Sequence, residues 1–112
     1  MANKIGWIGL GRMGEAMVKL LTTAGYGVDI WNRTRSKAEP LVQYGATLVD
    51  HKTDLAACEV VFTMVSTTDD LKEVLFAEGG LVTGKVLPKV VVDSSSISQE
   101  GSTEVRHRLE AL

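Results

Sequence analysis

Gly9, Gly11 and Gly14 stand in a Gly-x-Gly-x-x-Gly spacing directly after the short apolar run Ile5-Gly6-Trp7-Ile8. In such a spacing the first glycine allows a tight turn out of a strand. The second lets backbone approach a ligand with no Cβ between them, and the third lets a helix pack close to the strand. The stretch that follows has apolar or small residues at positions 13, 16, 17, 20, 21 and 24, the one-face pattern of an amphipathic helix. Strand, turn and helix therefore succeed one another without a gap. The unbonded N–H groups at the start of that helix point toward the turn, with the positive end of the helix dipole behind them. Gly9, Leu10, Gly11, Arg12, Met13 and Gly14 are thus candidates to receive a diphosphate, and the implied chemistry is dinucleotide binding. A close-packed turn with no ligand is the competing explanation of the glycines taken alone.

A second cluster lies about twenty residues beyond the last glycine, where an acidic residue at a strand tip would bind the ribose of NAD. The sequence there is Asn32-Arg33-Thr34, with no carboxylate, and Asp29 falls too early, inside the strand. A carboxylate would repel a 2′-phosphate. Asn32 can donate, Arg33 offers a planar fork to phosphate oxygens, Thr34 adds a hydroxyl, and Lys37 lies one helical turn on. This pattern favours NADP(H) over NAD(H), although an ordinary solvated helix entrance would also present such charges.

These residues need a scaffold that brings strand ends together. Tyr26 to Trp31 reads as a second strand, Ala46 to Val49 as a short third, Val60 to Val65 as a fourth and Val90 to Asp93 as a fifth. Helical patterns separate them, which predicts a parallel sheet with crossover helices. The Ser36-x-x-Glu39 spacing predicts a capping box opening the second helix, with Pro40 in its first turn and Gly45 at its end. Asp50 is expected to cap a brief helix through Ala57. Gly79-Gly80 breaks the helix that carries Leu71, Val74 and Leu75, and residues 81 to 89 read as loop. The last helix should bury Val105, Leu109 and Leu112 and expose the pairs Glu104/Arg108 and Arg106/Glu110. With strand order 3-2-1-4-5, Met64, Val65 and Ser66 should line a crevice beside the glycine turn, and the serines after strand five should face its far end. The Ser96-x-x-Gln99 spacing makes those serines a capping box as well, and the two uses can coexist.

Length and composition narrow the classes. The 112 residues make one domain, 1–112, small for a complete nicotinamide enzyme. A net charge of −2 offers no case for nucleic acid as the main partner. The single cysteine, Cys58, cannot form an internal disulfide, which points to a reducing, cytoplasmic setting. No stretch has the length of a membrane span or the form of a signal peptide. Neither His51 nor Cys58 has a metal-ligand partner at a useful spacing, so no metal is expected. Cys58 reads as a small buried residue and His51 and His107 as surface ones.

Taken together the motifs resemble the β-hydroxyacid dehydrogenase family, which includes 3-hydroxyisobutyrate dehydrogenase, semialdehyde reductases and, more distantly, 6-phosphogluconate dehydrogenase. Residues 8 to 17, Ile-Gly-Leu-Gly-Arg-Met-Gly-Glu-Ala-Met, are similar to its cofactor signature. Trp31-Asn32-Arg33-Thr34-x-x-Lys37 resembles the NADP-preferring members, and Asp93-Ser94-Ser95-Ser96-Ile97-Ser98 its strand-five motif. The resemblance implies an α/β fold, a Rossmann-type doubly wound parallel sheet. It also implies that Ser96 contacts the nicotinamide end of the cofactor, Ser95 and Ser96 border the substrate, and Met64, Val65 and Ser66 touch the cofactor. The family's substrate loop, catalytic Lys and C-terminal helical domain would all lie beyond residue 112. No catalytic residue is therefore expected within this chain, which reads as the N-terminal, cofactor-binding part of a longer enzyme. Strand five, left as a sheet edge, is expected to promote homo-oligomer formation.

Two other functions compete with a dehydrogenase of small hydroxyacids or semialdehydes. One is a cofactor-binding scaffold or sensor without catalysis, and the other an imine reductase, which shares the Trp-Asn-Arg-Thr stretch. The Asp-Ser-Ser-Ser-Ile-Ser segment argues for hydroxyacid substrates.

Overall fold

The computed structural model describes residues 4–93 and 99–111. β1 (Lys4–Ile8) lies in the middle of a five-stranded sheet of order β3-β2-β1-β4-β5, as the alternation of strand and helix patterns predicts. β2 (Gly27–Trp31) and β4 (Val60–Thr63) flank it, while β3 (Thr47–Leu48) and β5 (Val90–Asp93) form the wings, and every pairing is parallel. The chain runs outward through β2 and β3, then crosses to β4 and β5. The carboxyl ends of β1 and β4 therefore diverge at a switch point, where open α/β sheets leave a crevice.

The two-residue period of β1 divides the core. Ile5 and Trp7 project into one layer with Val28 and Ile30 of β2, Val18 of α1 (Arg12–Thr23), and Ala38 and Leu41 of α2 (Arg35–Val42). Ile8 projects into the other, with Val61 and Leu55, with Leu71, Val74 and Leu75 of α3 (Thr68–Phe76), and with Val105 of α4 (Gln99–Glu110). Both faces of the sheet are thus covered, which is why its central strands read as nearly unbroken apolar runs. Trp7 stacks on Phe62 with centroids 5.2 Å apart and is 1% exposed.

Tertiary packing overturns several local expectations. The stripe at 13, 16, 17, 20, 21 and 24 is not the face that α1 buries. Gly14 and Val18 are buried and Leu21 is half-buried, whereas Met13 and Leu20 are 67% and 66% exposed and Ala16, Met17 and Ala24 also lie outward. The cause is the close approach at Gly14, which lays the helix on β1 along the line 14–18–21. α2 begins at Arg35, one residue before the expected box, because the Thr34 carbonyl accepts from the Lys37 amide at 3.1 Å and closes the first turn early. Ser36 is then an exposed first-turn residue, Pro40 moves into the helix interior, and the helix ends at Val42 with Gly45 beyond it at φ +103°. The cap of the next turn is His51, not Asp50. That turn, Lys52–Ala57, is a 3-10 helix closed reciprocally by His51 and Asp54, while Asp50 pairs with Arg35 at 2.8 Å.

The remaining differences are smaller. β2, β3 and β4 are each shorter than their patterns suggest, which places Met64 and Val65 just past a strand end. Leu81, in the segment read as loop, is fully buried, held by its amide on the Val74 carbonyl at 2.8 Å. On α4, Glu104 meets Lys72 of α3 at 2.7 Å and Arg108 lies 3.9 Å from the Phe76 ring, so these side chains join two helices. No ion pair joins Arg106 to Glu110 among the described residues. The Lys72 ammonium holds the Glu104 carboxyl below its ordinary pKa. Leu109 is half-buried, Leu112 lies outside the described residues, and His51 and His107 are exposed as expected.

Replacing Val18 by Ala is expected to lower unfolding free energy by roughly 1.5–3 kcal/mol. Leu20→Ala, one face away, should stay within about 0.5 kcal/mol of the parent. Urea titration of the two variants checks this, and a larger loss for Leu20 would refute the orientation of α1.

Candidate functional site

The glycine turn is braced from three sides. Gly9 adopts φ +102°, and a Cβ there would overlap the Met64 carbonyl oxygen. Its own carbonyl accepts from the Trp7 indole at 2.8 Å, and its amide donates to the Trp31 carbonyl at 3.3 Å. A Cβ on Gly14 would strike the same Gly9 carbonyl and come 3.2 Å from the indole nitrogen. Gly11 differs: it caps α1 with no side-chain hydrogen bond, and beyond its chain neighbours nothing lies within 4 Å of where its Cβ would be. The fold itself thus demands Gly9 and Gly14 but not Gly11, whose bareness suits the close approach of something outside the chain. The first-turn amides of Arg12, Met13 and Gly14 have no carbonyl one turn back in the helix, and the Gly11 carbonyl takes the Glu15 amide at 2.9 Å.

A cleft of about 260 Å³ opens beside this turn. Gly9, Leu10 and Gly11 form its floor, Asn32, Arg33, Thr34 and Lys37 one wall, and Met64, Val65 and Ser66 another. Sequence separation among these groups is large, and the switch point brings them together. Three expected residues do not line the cleft: Arg12 and Met13 are exposed on the first turn of α1, and Gly14 is buried beneath it. Ser95 and Ser96 lie outside the described residues.

Two side chains behave differently from the simple reading. Asn32 Oδ1 accepts from the Leu10 amide at 3.0 Å and its Nδ2 donates to the Thr34 carbonyl at 2.9 Å. Its amide therefore ties the glycine turn to the tip of β2, and only the second N–H of Nδ2 is left to donate elsewhere. Arg33, expected to be open toward a phosphate, is paired with Asp70 at 3.2 Å and Glu73 at 3.1 Å.

Trp31, Asp70 and Val74 line the cleft without having been singled out for it. Val74 carried a signal, since its place on the apolar side of α3 next to the switch point puts it at the cleft wall. Nothing in the spacing of Asp70 marks it, because its partner Arg33 lies 37 positions away. Thr67 caps α3 by accepting the Asp70 amide at 3.0 Å, which fixes that first turn against the cleft.

Asp29 is buried on the far side of β2, where it bonds Lys4 at 3.3 Å, and takes no part in the cleft. Cys58 lies 3.9 Å from the same carboxylate, and burial, reinforced by that negative charge, pushes its thiol up to about 11. Such a thiol stays protonated and unreactive at neutral pH. No group of acidic, histidine or cysteine side chains suited to a metal occurs among the described residues.

The family model for the NAD binding domain of 6-phosphogluconate dehydrogenase matches residues 4–112. The chain belongs to this family. Among curated relatives of this dehydrogenase group, probable 3-hydroxyisobutyrate dehydrogenase-like 1, mitochondrial, of Arabidopsis thaliana is 41% identical over 104 residues, which are 88% of this chain and 31% of that protein. An imine reductase from Myxococcus stipitatus, solved in complex with NADP+, superposes with a TM-score of 0.81 at 27% identity, covering 96% of this chain and 37% of its own. For Mycobacterium tuberculosis 3-hydroxyisobutyrate dehydrogenase with L-serine the TM-score is 0.79 at 26% identity, covering 99% and 38%. The chain spans about a third of the length of these relatives. As a member of the family it is a nicotinamide-dinucleotide-binding domain of Rossmann type.

The three glycines of this domain should separate in mutagenesis. Gly9→Ala and Gly14→Ala are expected to cost about 3 kcal/mol or more, through backbone overlap and, at Gly9, a left-handed backbone. Gly11→Ala should leave thermal stability nearly unchanged while weakening dinucleotide binding. Equal binding by Gly11→Ala and the parent would remove the ligand argument for that position.

Proposed function

We propose that this domain binds NADP(H) and serves a dehydrogenase or reductase that moves hydride between the cofactor and a small β-hydroxyacid or semialdehyde. The observation that carries the cofactor half is the grouping of Arg33 and Lys37 in the cleft beside a glycine turn, with no carboxylate at the tip of β2. In this reading the amides around Gly11, Arg12 and Met13 receive the pyrophosphate, assisted by the helix dipole. Arg33, Thr34 and Lys37 meet the 2′-phosphate, Asn32 holds the turn in place, and Met64, Val65 and Ser66 pack along the adenosine and ribose. The nicotinamide supplies the hydride when bound. This chain's residues bind and orient it, and Ser95 and Ser96 are assigned to its reactive end and to the substrate.

Two relatives support this reading from different directions. The name of the Arabidopsis protein supports a hydroxyacid dehydrogenase, and the imine reductase was solved with NADP+. An imine-reducing activity shares the cofactor half, and the Asp93-Ser94-Ser95-Ser96 segment favours hydroxyacids over it. We place the protein in the cytoplasm, on the strength of a single buried cysteine, which cell fractionation tests. No described helix is long and apolar enough to cross a membrane. Among the described residues β5 is a sheet edge with Val90 and Val92 exposed, which supports self-association. Sedimentation at high concentration should reveal a dimer, and a monomer throughout would count against it.

Titration with NADPH and NADH tests the central claim. NADPH should bind on the order of tenfold tighter, as expected for a charge-assisted contact to one extra phosphate. Arg33→Asp should abolish that preference. Equal affinity of the parent for both cofactors, or a preference that survives the substitution, would defeat the assignment.

A further inference from the structure

The cofactor reading leaves the pairing of Arg33 unexplained, since the guanidinium assigned to a phosphate is already held by two carboxylates. Arg33 Nη2 lies 3.2 Å from Asp70 Oδ1 and 3.1 Å from Glu73 Oε2. Arg33 follows β2 whereas both acids stand on α3, so the pairing bridges two walls of the cleft. Asp70 itself lines that cleft together with Arg33 and Lys37. Lys37 has no ion-pair partner among the described residues.

We propose that Asp70 and Glu73 are specificity-determining residues that restrain the preference for NADP(H), acting as an acidic latch on Arg33 which an incoming 2′-phosphate must displace. The proposal rests on the NADP(H) reading and adds to it the groups that oppose it. A phosphate monoester brings a charge of about −1.5 to −2 and three strong acceptor oxygens. The guanidinium fork can turn to it, but Asp70 and Glu73 stay close by and repel the newcomer. Formally the two carboxylates cancel the charge that Arg33 and Lys37 offer.

The latch opens readily. Side-chain exposure is 58% for both Arg33 and Glu73, so water and salt compete with the pair. Its effect therefore falls on discrimination and not on folding. Asp70 works in the same direction on the other cofactor. Its carboxylate, 30% exposed at the cleft wall, is an acceptor for a ribose hydroxyl, the role usually filled from the tip of the second strand. Repelling a 2′-phosphate and accepting from a 2′-hydroxyl both narrow the gap between the two cofactors.

The test is fluorescence titration of the chain with NADPH and with NADH at low ionic strength, in the parent, Glu73→Gln and the double variant Asp70→Asn/Glu73→Gln. The double variant should raise the ratio of NADPH to NADH affinity by about threefold to tenfold, with Glu73→Gln giving a smaller rise. The increase should shrink in high salt. Glu73→Gln leaves the first turn of α3 intact and so reports even where the double variant is destabilised. An unchanged or lowered ratio overturns the latch. Arg33→Ala, measured in parallel, distinguishes the failures. If it lowers the ratio while the acid variants leave theirs unchanged, the latch alone is wrong; if it too leaves the ratio unchanged, the NADP(H) reading falls and the latch with it.

Discussion

The fold turns on the contact between Gly9 and the Met64 carbonyl. At that point the chain leaving β1 must pass over the end of β4 with no room for a side chain, and it does so in a left-handed conformation that glycine adopts without strain. Moving the turn outward by the width of a methyl group would lift α1 off the sheet, because Gly14 rests on the Gly9 carbonyl from above. The other braces gather at the same place. The Trp7 indole reaches up from the core to the Gly9 carbonyl, and the Asn32 amide reaches across from β2 to the Leu10 amide. Ends of three neighbouring strands thus hold one turn, and a turn so held presents its free amides without further ordering on binding.

The organisation of the fold was legible because it rests on long-range regularities of hydrophobicity. Alternating short apolar runs with helical stretches pointed to a parallel sheet with crossover helices, and the glycine spacing after the first run pointed to the dinucleotide-binding strand order, which is the β3-β2-β1-β4-β5 observed. Most of the cleft was legible for the same reason, since residues at the carboxyl ends of β1, β2 and β4 have to meet at the switch point. What could not be read were matters decided by a neighbour distant in sequence. An apolar stripe on α1 promised a buried face at Met13, Met17 and Leu20, yet the missing side chain at Gly14 chose another. The capping box at Ser36 and the cap at Asp50 obeyed the local pattern but lost to the Thr34–Lys37 turn and to the Arg35–Asp50 pair. Arg33 advertised an open guanidinium, while its two partners come from a helix more than thirty positions on.

Two kinds of electrostatics act at the two ends of the cleft. Around Gly11 the field comes from backbone dipoles, which no single side-chain substitution removes. Between the tip of β2 and α3 it comes from Arg33, Lys37, Asp70 and Glu73, which are at least partly exposed, substitutable and screened. Under the proposed binding mode, recognition of a dinucleotide as such depends on the first, and the choice between dinucleotides on the second. The first is bound up with the stability of the fold, because Gly9 and Gly14 serve the turn and the core together. The second is not, since exposed ion pairs contribute little to folding. On the latch proposal, selectivity in this domain can therefore drift by exchange of surface charges on α3 while the turn beneath it stays fixed.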